Sequence, residues 1–338
     1  MGRKSVYIAY TGGTIGMAPS PQGYVPEPGF LQSQMAKFSV LKDERMPVYH
    51  VEEYAPLLDS SNMSPKDWVR IARDIKDKYD DYDGFIVLHG TDTMAYSASA
   101  VSFLLRDLAK PVIFTGSQVP LVELRTDARE NLINSILLAA EADVPEVCLL
   151  VRHRLLRGNR STKVSASHFM AFDSPNCGEL ASVGVELKIH TDRLFSGESR
   201  DLRLHDLGAP QVADVRLYPG ITPKTLSQFL AKPLQGAVLH TYGVGNAPDD
   251  PEFQRVIREA CDRGVVIVNC TQCLHGTVDM SGYATGNALA EAGVISGFDM
   301  TPEAALTKLH WLLSQELSVD DVRRLMQENL RGELTRPS

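Results

Sequence analysis

Two short loops in this chain hold hydroxyls and carboxylates at spacings that suit nucleophilic chemistry. In the first, Val6 to Tyr10 runs straight into Thr11-Gly12-Gly13-Thr14, a strand pattern that stops at a glycine turn. Lacking Cβ atoms, the two glycines allow a backbone course closed to other residues, so the hydroxyl of Thr14 can be held close to a ligand. A threonine becomes a nucleophile only when a neighbouring group takes its proton. In the second loop the apolar run Gly84 to Leu88 ends at His89-Gly90-Thr91-Asp92-Thr93, which adds another hydroxyl and a carboxylate. The available proton acceptors are Tyr24, Asp92 and a lysine from elsewhere. Lys163, after the glycine turn that starts at Gly158, is one such lysine, although on spacing alone it reads as a solvated one. His89 sits inside a strand end and reads as a satisfied structural histidine.

These loops need strands to present them. The run Gly84 to Leu88 is continuous rather than alternating, as expected of a strand covered on both faces. Further strands are expected at Val48 to Tyr54, Pro111 to Thr115 and Glu146 to Val151. Helices are expected from Ser64-Pro65 to about Lys78, from the Thr93 loop to about Leu105, and from Ala128 to Ala142. Strand-then-helix alternation implies a parallel, doubly wound α/β sheet. In such sheets ligands settle outside the carboxyl ends of strands. The loops with Thr14, Asp59-Ser60-Ser61, Thr91-Asp92 and Ser117 would all emerge on that edge. Tyr24 lies in a Pro- and Gly-rich stretch, Ala18 to Gly29, that reads as a flexible flap. Asp59 and Ser60 also suit plain helix capping.

From about Pro175 the pattern loses its period. The expected organisation is an N-terminal α/β catalytic domain over 1–185, a linker over 186–211 and a smaller α/β domain over 212–338. In the last, strands are expected at Val212 to Leu217, Ala237 to His240 and Val265 to Asn269. Its helices are expected at Pro223 to Leu230, Pro251 to Arg263, Pro302 to Leu317 and Val319 to Asn329.

Rival chemistries fit poorly. No Gly-Lys-Ser/Thr follows Gly12, and TGGTIGM is not G-x-G-x-x-G, so neither nucleotide motif is met. The nine histidines and five cysteines form no ligand cluster, and Cys270-x-x-Cys273 stands alone, so no metal is expected. There is no G-x-S-x-G elbow for a serine triad. The 338 residues carry a net charge of -8 with a pI near 5.6, which argues against nucleic acid or an anionic membrane as partner. The opening MGRKSVYIAY passes directly into strand pattern, so no secretory signal is expected. With sparse, odd-numbered cysteines, a cytoplasmic setting is the reading.

Thr11-Gly12-Gly13-Thr14-Ile15-Gly16 and His89-Gly90-Thr91-Asp92-Thr93 resemble the two signatures of bacterial-type L-asparaginases. The likeness continues through Asp59-Ser60-Ser61, Thr115-Gly116-Ser117-Gln118, the stretch Arg157 to Lys163, Tyr242 to Asn246, and Tyr283-Ala284-Thr285-Gly286-Asn287. It covers nearly the whole chain and is strongest for the cytosolic type I branch.

The resemblance implies a cofactor-free amidohydrolase that converts L-asparagine and water to L-aspartate and ammonia. Thr14 would attack the side-chain amide carbon to give an acyl-enzyme ester. Tyr24 would close over the site and assist proton removal, and Thr91, Asp92 and Lys163 would form a second triad. Which of these serves acylation and which hydrolysis stays open. Asp59 and Asp92 would hold the substrate ammonium and Ser60 its carboxylate, with Ser61, Thr91 and Ser117 also in the substrate pocket. Asn246 matches a residue contributed by a neighbouring subunit, which implies a homodimer pairing into a homotetramer. A regulatory asparagine site would map to Thr162 and Cys273. His240 stands where that site is expected to have arginine, and neutral histidine does not grip a carboxylate bidentately as arginine does.

Two other readings share these residues. One is the amidase subunit of a tRNA-dependent amidotransferase, and the other is an amino-acid sensor that has lost turnover.

Overall fold

The computed structural model describes residues 2–195, 201–280 and 284–336. The chain divides into two compact units, Met1–His205 and Asp206–Ser338.

In the first unit, an eight-stranded sheet has the order Leu187–Ile189, Glu179–Val183, Arg154–Arg157, Val147–Val151, Val112–Thr115, Gly84–Leu88, Ser5–Gly12, Val48–Leu58. The last five of these are parallel to one another. Side chains alternate between the faces. Val6, Ile8 and Tyr10 join Ile86, Leu88 and Ile113 under the helix Ala128–Glu141, through Leu132, Ile136 and Ala139. Tyr7, Phe85 and Phe114 turn to the opposite face and are wholly buried as well. Helix Pro65–Asp77 begins at a capping box in which the carboxylate of Asp67 accepts from the Ser64 amide and hydroxyl at 2.8 and 2.7 Å. Its Trp68, Ile71, Ala72 and Ile75 are buried. The expected doubly wound, mostly parallel sheet is therefore present.

The chain order reverses between Ser5–Gly12 and Gly84–Leu88, because Val48–Leu58 lies outside the first and Val112–Thr115 outside the second. The loops bearing Thr14 and Thr91 thus leave adjacent strands at the switch point of the sheet, the place where such folds bind ligands.

Two details differ from the sequence reading. In the region read as a flexible flap, Met17–Ser20 pairs antiparallel with Gly23–Pro26 in a hairpin that the sequence reading did not place. Glu179–Val183 and Leu187–Ile189 form a second hairpin that adds antiparallel to Arg154–Arg157. Only the adjacent Leu180 and Ala181 of it are buried, so its sequence shows no strand alternation. Of the stretch 186–211, Leu187–Ile189 belongs to this sheet and Arg203–Leu204 pairs with Leu105–Arg106, while 196–200 lie outside the described residues.

The second unit holds a parallel sheet, Val212–Arg216, Gly236–Thr241, Val266–Thr271, Ile295–Ser296. Asp250, Thr301 and Ser318 cap the helices Pro251–Asp262, Pro302–Leu313 and Val319–Met326 with side-chain oxygens. The first of the last two ends four residues before the expected Leu317, where the Ser314 hydroxyl donates to the His310 carbonyl at 2.7 Å. Lys308 and Glu333 form an ion pair at 2.5 Å with both side chains fully buried.

Candidate active site

Four loops at the carboxyl edge of the first sheet are pressed together, and each junction is made at a glycine. Gly12 has φ 134° and Gly13 φ 90°, the left-handed region that favours glycine. A Cβ on Gly12 would strike the Leu58 carbonyl, just before Asp59. On Gly13 it would sit 2.5 Å from the Gly90 amide nitrogen. On Gly90 it would meet the Ser60 hydroxyl, and on Gly116 the His89 carbonyl. The loops of Thr14, Asp59 to Ser61, Thr91 and Ser117 therefore meet as expected, at backbone contact distance.

At the centre, Lys163 Nζ donates to Thr91 Oγ1 at 2.9 Å and to Asp92 Oδ1 at 2.7 Å. Lys163 is drawn in by a short antiparallel pairing of Thr162–Lys163 with Phe172–Asp173. Its side chain is 20% exposed and that of Asp92 is 65% exposed, so the pair sits at the mouth of the site. The Thr91 hydroxyl donates in turn to Gln118 Oε1 at 3.2 Å.

Thr14, half-buried, follows the glycine pair and opens a single turn, Thr14–Gly16, whose other two residues are buried, and its hydroxyl makes no hydrogen bond to a described residue. Tyr24 is 44% exposed on the hairpin. Its hydroxyl donates to Glu123 Oε1 at 2.5 Å, and this bond raises the phenol above its ordinary pKa. Tyr24 is thus bonded to Glu123 and not to Thr14.

Asp59 is exposed and one of its oxygens accepts from the Ser61 amide at 2.9 Å. This is the capping role. Ser60 is buried against Gly90, and its carbonyl accepts from the Thr93 hydroxyl at 2.7 Å. Ser61 is exposed. Ser117 is buried, and its hydroxyl donates to the Val119 carbonyl at 2.7 Å. His89 is wholly buried at the end of its strand with Nδ1 2.7 Å from the Gly90 carbonyl. Burial pushes its pKa down to about 4, so the imidazole is neutral and structural, but not fully satisfied as expected: its buried Nε2 has no hydrogen-bond partner among the described residues.

The remaining candidates are placed within their own units. Thr162 is half-buried beside Lys163. In the second unit Asn246 closes a tight turn, its amide donating to the Tyr242 carbonyl at 2.8 Å. His240 is buried at the end of its strand and pairs through Nε2 with Asp214 on the neighbouring strand. Cys273 is exposed. Tyr283 lies outside the described residues.

Sequence reasoning gave no role to Gln118, Glu123 or Asp127. Asp127 is the residue before the helix Ala128–Glu141, but its side chain makes no cap bond to that helix. Instead its buried carboxylate accepts from the Gln118 amide at 3.1 Å and the Val119 amide at 3.2 Å, fixing the loop that carries Ser117. No cluster of three or more His, Cys, Asp or Glu among the described residues could hold a metal ion. No described helix is long and apolar enough to cross a membrane.

A threonine behind paired glycines, set beside a Thr-Lys-Asp constellation at the switch point of a doubly wound sheet, has counterparts in known proteins. Residues 5–195 match the family model for the N-terminal domain of asparaginases, and residues 211–326 match the C-terminal domain of glutaminases and asparaginases. The chain belongs to the asparaginase family.

Within that family, it is 53% identical to L-asparaginase 1 of Escherichia coli K12, over 99% of both chains. It is 45% identical to the human 60 kDa lysophospholipase, over 99% of this chain and 62% of the human protein. The crystal structure of L-asparaginase I from Vibrio cholerae superposes with a TM-score of 0.92 at 48% identity, covering 99% of this chain and 100% of that one.

Proposed function

We propose that the protein is an L-asparagine amidohydrolase, releasing L-aspartate and ammonia without a cofactor. The observation that carries this reading is the pair of hydrogen bonds from Lys163 to Thr91 and Asp92, which joins residues 72 and 71 positions apart in the chain at the mouth of the Thr14 loop.

In this reading Thr14 Oγ1 attacks the side-chain amide carbon of asparagine. Its proton is taken up, the C–N bond breaks with loss of ammonia, and water hydrolyses the resulting ester. Tyr24 and the Thr91–Lys163 pair divide the two proton transfers between them. Backbone N–H groups of the glycine-lined loops face the developing oxyanion, where one donor is worth about 3 kcal/mol. Asp59 and Asp92 hold the ammonium of the substrate, and Ser60 its carboxylate. Ser61, Thr91 and Ser117 shape the pocket.

The finer assignments extend to assembly. The subunits form a homodimer, then a homotetramer, with Asn246 completing a neighbouring site, and the protein works in the cytoplasm. Thr162, His240 and Cys273 mark the place of a regulatory site. The direct test is ammonia release from L-asparagine by the purified protein, abolished in Thr14→Ala with the circular dichroism spectrum intact. Parental turnover by Thr14→Ala would overturn the mechanism.

A further inference from the structure

Glu123 is outside every motif that carries the family likeness, yet among the described residues it holds the one side-chain hydrogen bond that ties the Tyr24 phenol to another element. The residues Gly23–Pro26 are all exposed, and their strand pairs only with Met17–Ser20. Glu123, by contrast, rides on a loop that is anchored to the nucleophile's own turn. Two residues before it, the buried Leu121 donates its amide to the carbonyl of Ile15 at 3.1 Å, and Glu123 closes a turn onto Pro120 at 3.1 Å. Ile15 is the residue after Thr14 and is fully buried. The backbone from which the Glu123 side chain projects is therefore tied to the turn of Thr14.

We propose that Glu123 is a positioning residue for the reaction: by accepting the phenol hydrogen of Tyr24, it fixes the direction of that hydroxyl and leaves the phenol oxygen to accept from Thr14. An ionised carboxylate offers acceptors and no donor. Once Tyr24 has given its hydrogen to Glu123, the phenol can meet the Thr14 hydroxyl only through its lone pairs. That polarity is the one that weakens the Thr14 O–H bond. An amide at position 123 would no longer enforce it, since beside an accepting oxygen it carries an N–H that can donate to the phenol and turn the phenol hydrogen elsewhere. The raised pKa of Tyr24 agrees, because the same bond keeps the phenol protonated. This inference rests on the reading of Tyr24 as the group that assists Thr14.

The experiment is a cycle on the purified full chain with L-asparagine as substrate, using Tyr24→Phe, Glu123→Gln, the double variant and Glu123→Asp. Glu123→Gln is expected to lower kcat about 10-fold, less than the ~100-fold or more of a group that itself transfers the proton, with KM changed less than about 3-fold. The double variant should be no slower than Tyr24→Phe alone, and Glu123→Asp should recover part of the loss. A slow Tyr24→Phe beside a parental Glu123→Gln would overturn the proposal alone, as would losses that multiply in the double variant. A parental Tyr24→Phe would remove Tyr24 from the mechanism and the proposal with it. Tyrosinate absorbance provides a readout independent of turnover. Relative to matched Tyr24→Phe backgrounds, the Tyr24 phenol should ionise at lower pH in Glu123→Gln than in the parent. An unchanged titration would show that the bond is not made in solution.

Discussion

Gly13 and Gly90 touch backbone to backbone: a Cβ on the first would lie 2.5 Å from the amide nitrogen of the second. This contact sets the spacing between the loop of Thr14 and the loop of Thr91. Gly13→Ala should therefore combine left-handed strain with a collision that no side-chain rotation relieves. Gly220 is a control, with φ 93° and nothing within 4 Å of the added Cβ. Gly220→Ala should cost about 1–2 kcal/mol, and Gly13→Ala a further 1–3 kcal/mol or so from overpacking. Urea unfolding reads the difference. Ammonia release should fall at least about 100-fold in Gly13→Ala, since small misplacements of reacting groups cost that much, and stay parental in Gly220→Ala. Equal stability and full activity in both variants would remove the contact from the account.

Lys163→Met keeps an unbranched stem, one atom shorter, and removes the donor that joins Thr91 to Asp92. Steady-state kinetics should show kcat reduced about 100-fold or more, the range for a proton-transfer group, with a much smaller change in KM. A rise in KM at constant kcat would make Lys163 a binding residue only.

The parts of this site that could be read from the sequence are those whose demands are local. Thr11 to Gly16 and His89 to Thr93 each join an apolar run to glycines, and both the strand and the turn follow from a few adjacent residues. Ser64-Pro65 marked its helix start for the same reason. Contacts across the chain leave no such trace. Tyr24 and Glu123 are 99 positions apart, and nothing in the spacing of either names the other. Lys163 looked solvated on spacing and was placed by resemblance alone. The hairpin Met17–Ser20 with Gly23–Pro26 escaped because its two prolines and mostly exposed strands show no buried alternation. Asp127 shows that a carboxylate before a helix can fold back on the loop eight and nine residues earlier without making a cap bond to the helix backbone.

His89 gives the fold an acid limb. Its pKa falls from 6.5 to about 4 on burial, so the folded state binds fewer protons than the unfolded chain between these values. The stabilisation is fully present above pH 6.5 and is lost as the pH falls through about 4. A descent of that size is worth about 3 kcal/mol. Unfolding free energies from urea titrations at pH 7 and pH 4 should differ by about 3 kcal/mol more in the parent than in His89→Gln. Parallel pH profiles for the two proteins would mean that His89 is not buried in its neutral form.

The central claim is that the hydroxyl of Thr14 becomes esterified during turnover. The most direct measurement is peptide mass spectrometry on protein acid-quenched while it processes a slowly hydrolysed L-asparagine analogue. The expected result is an acyl adduct on the peptide containing Thr14, absent from Thr14→Ala. An adduct on another residue, or turnover of the analogue with solvent oxygen delivered directly and no adduct at any time point, would contradict it.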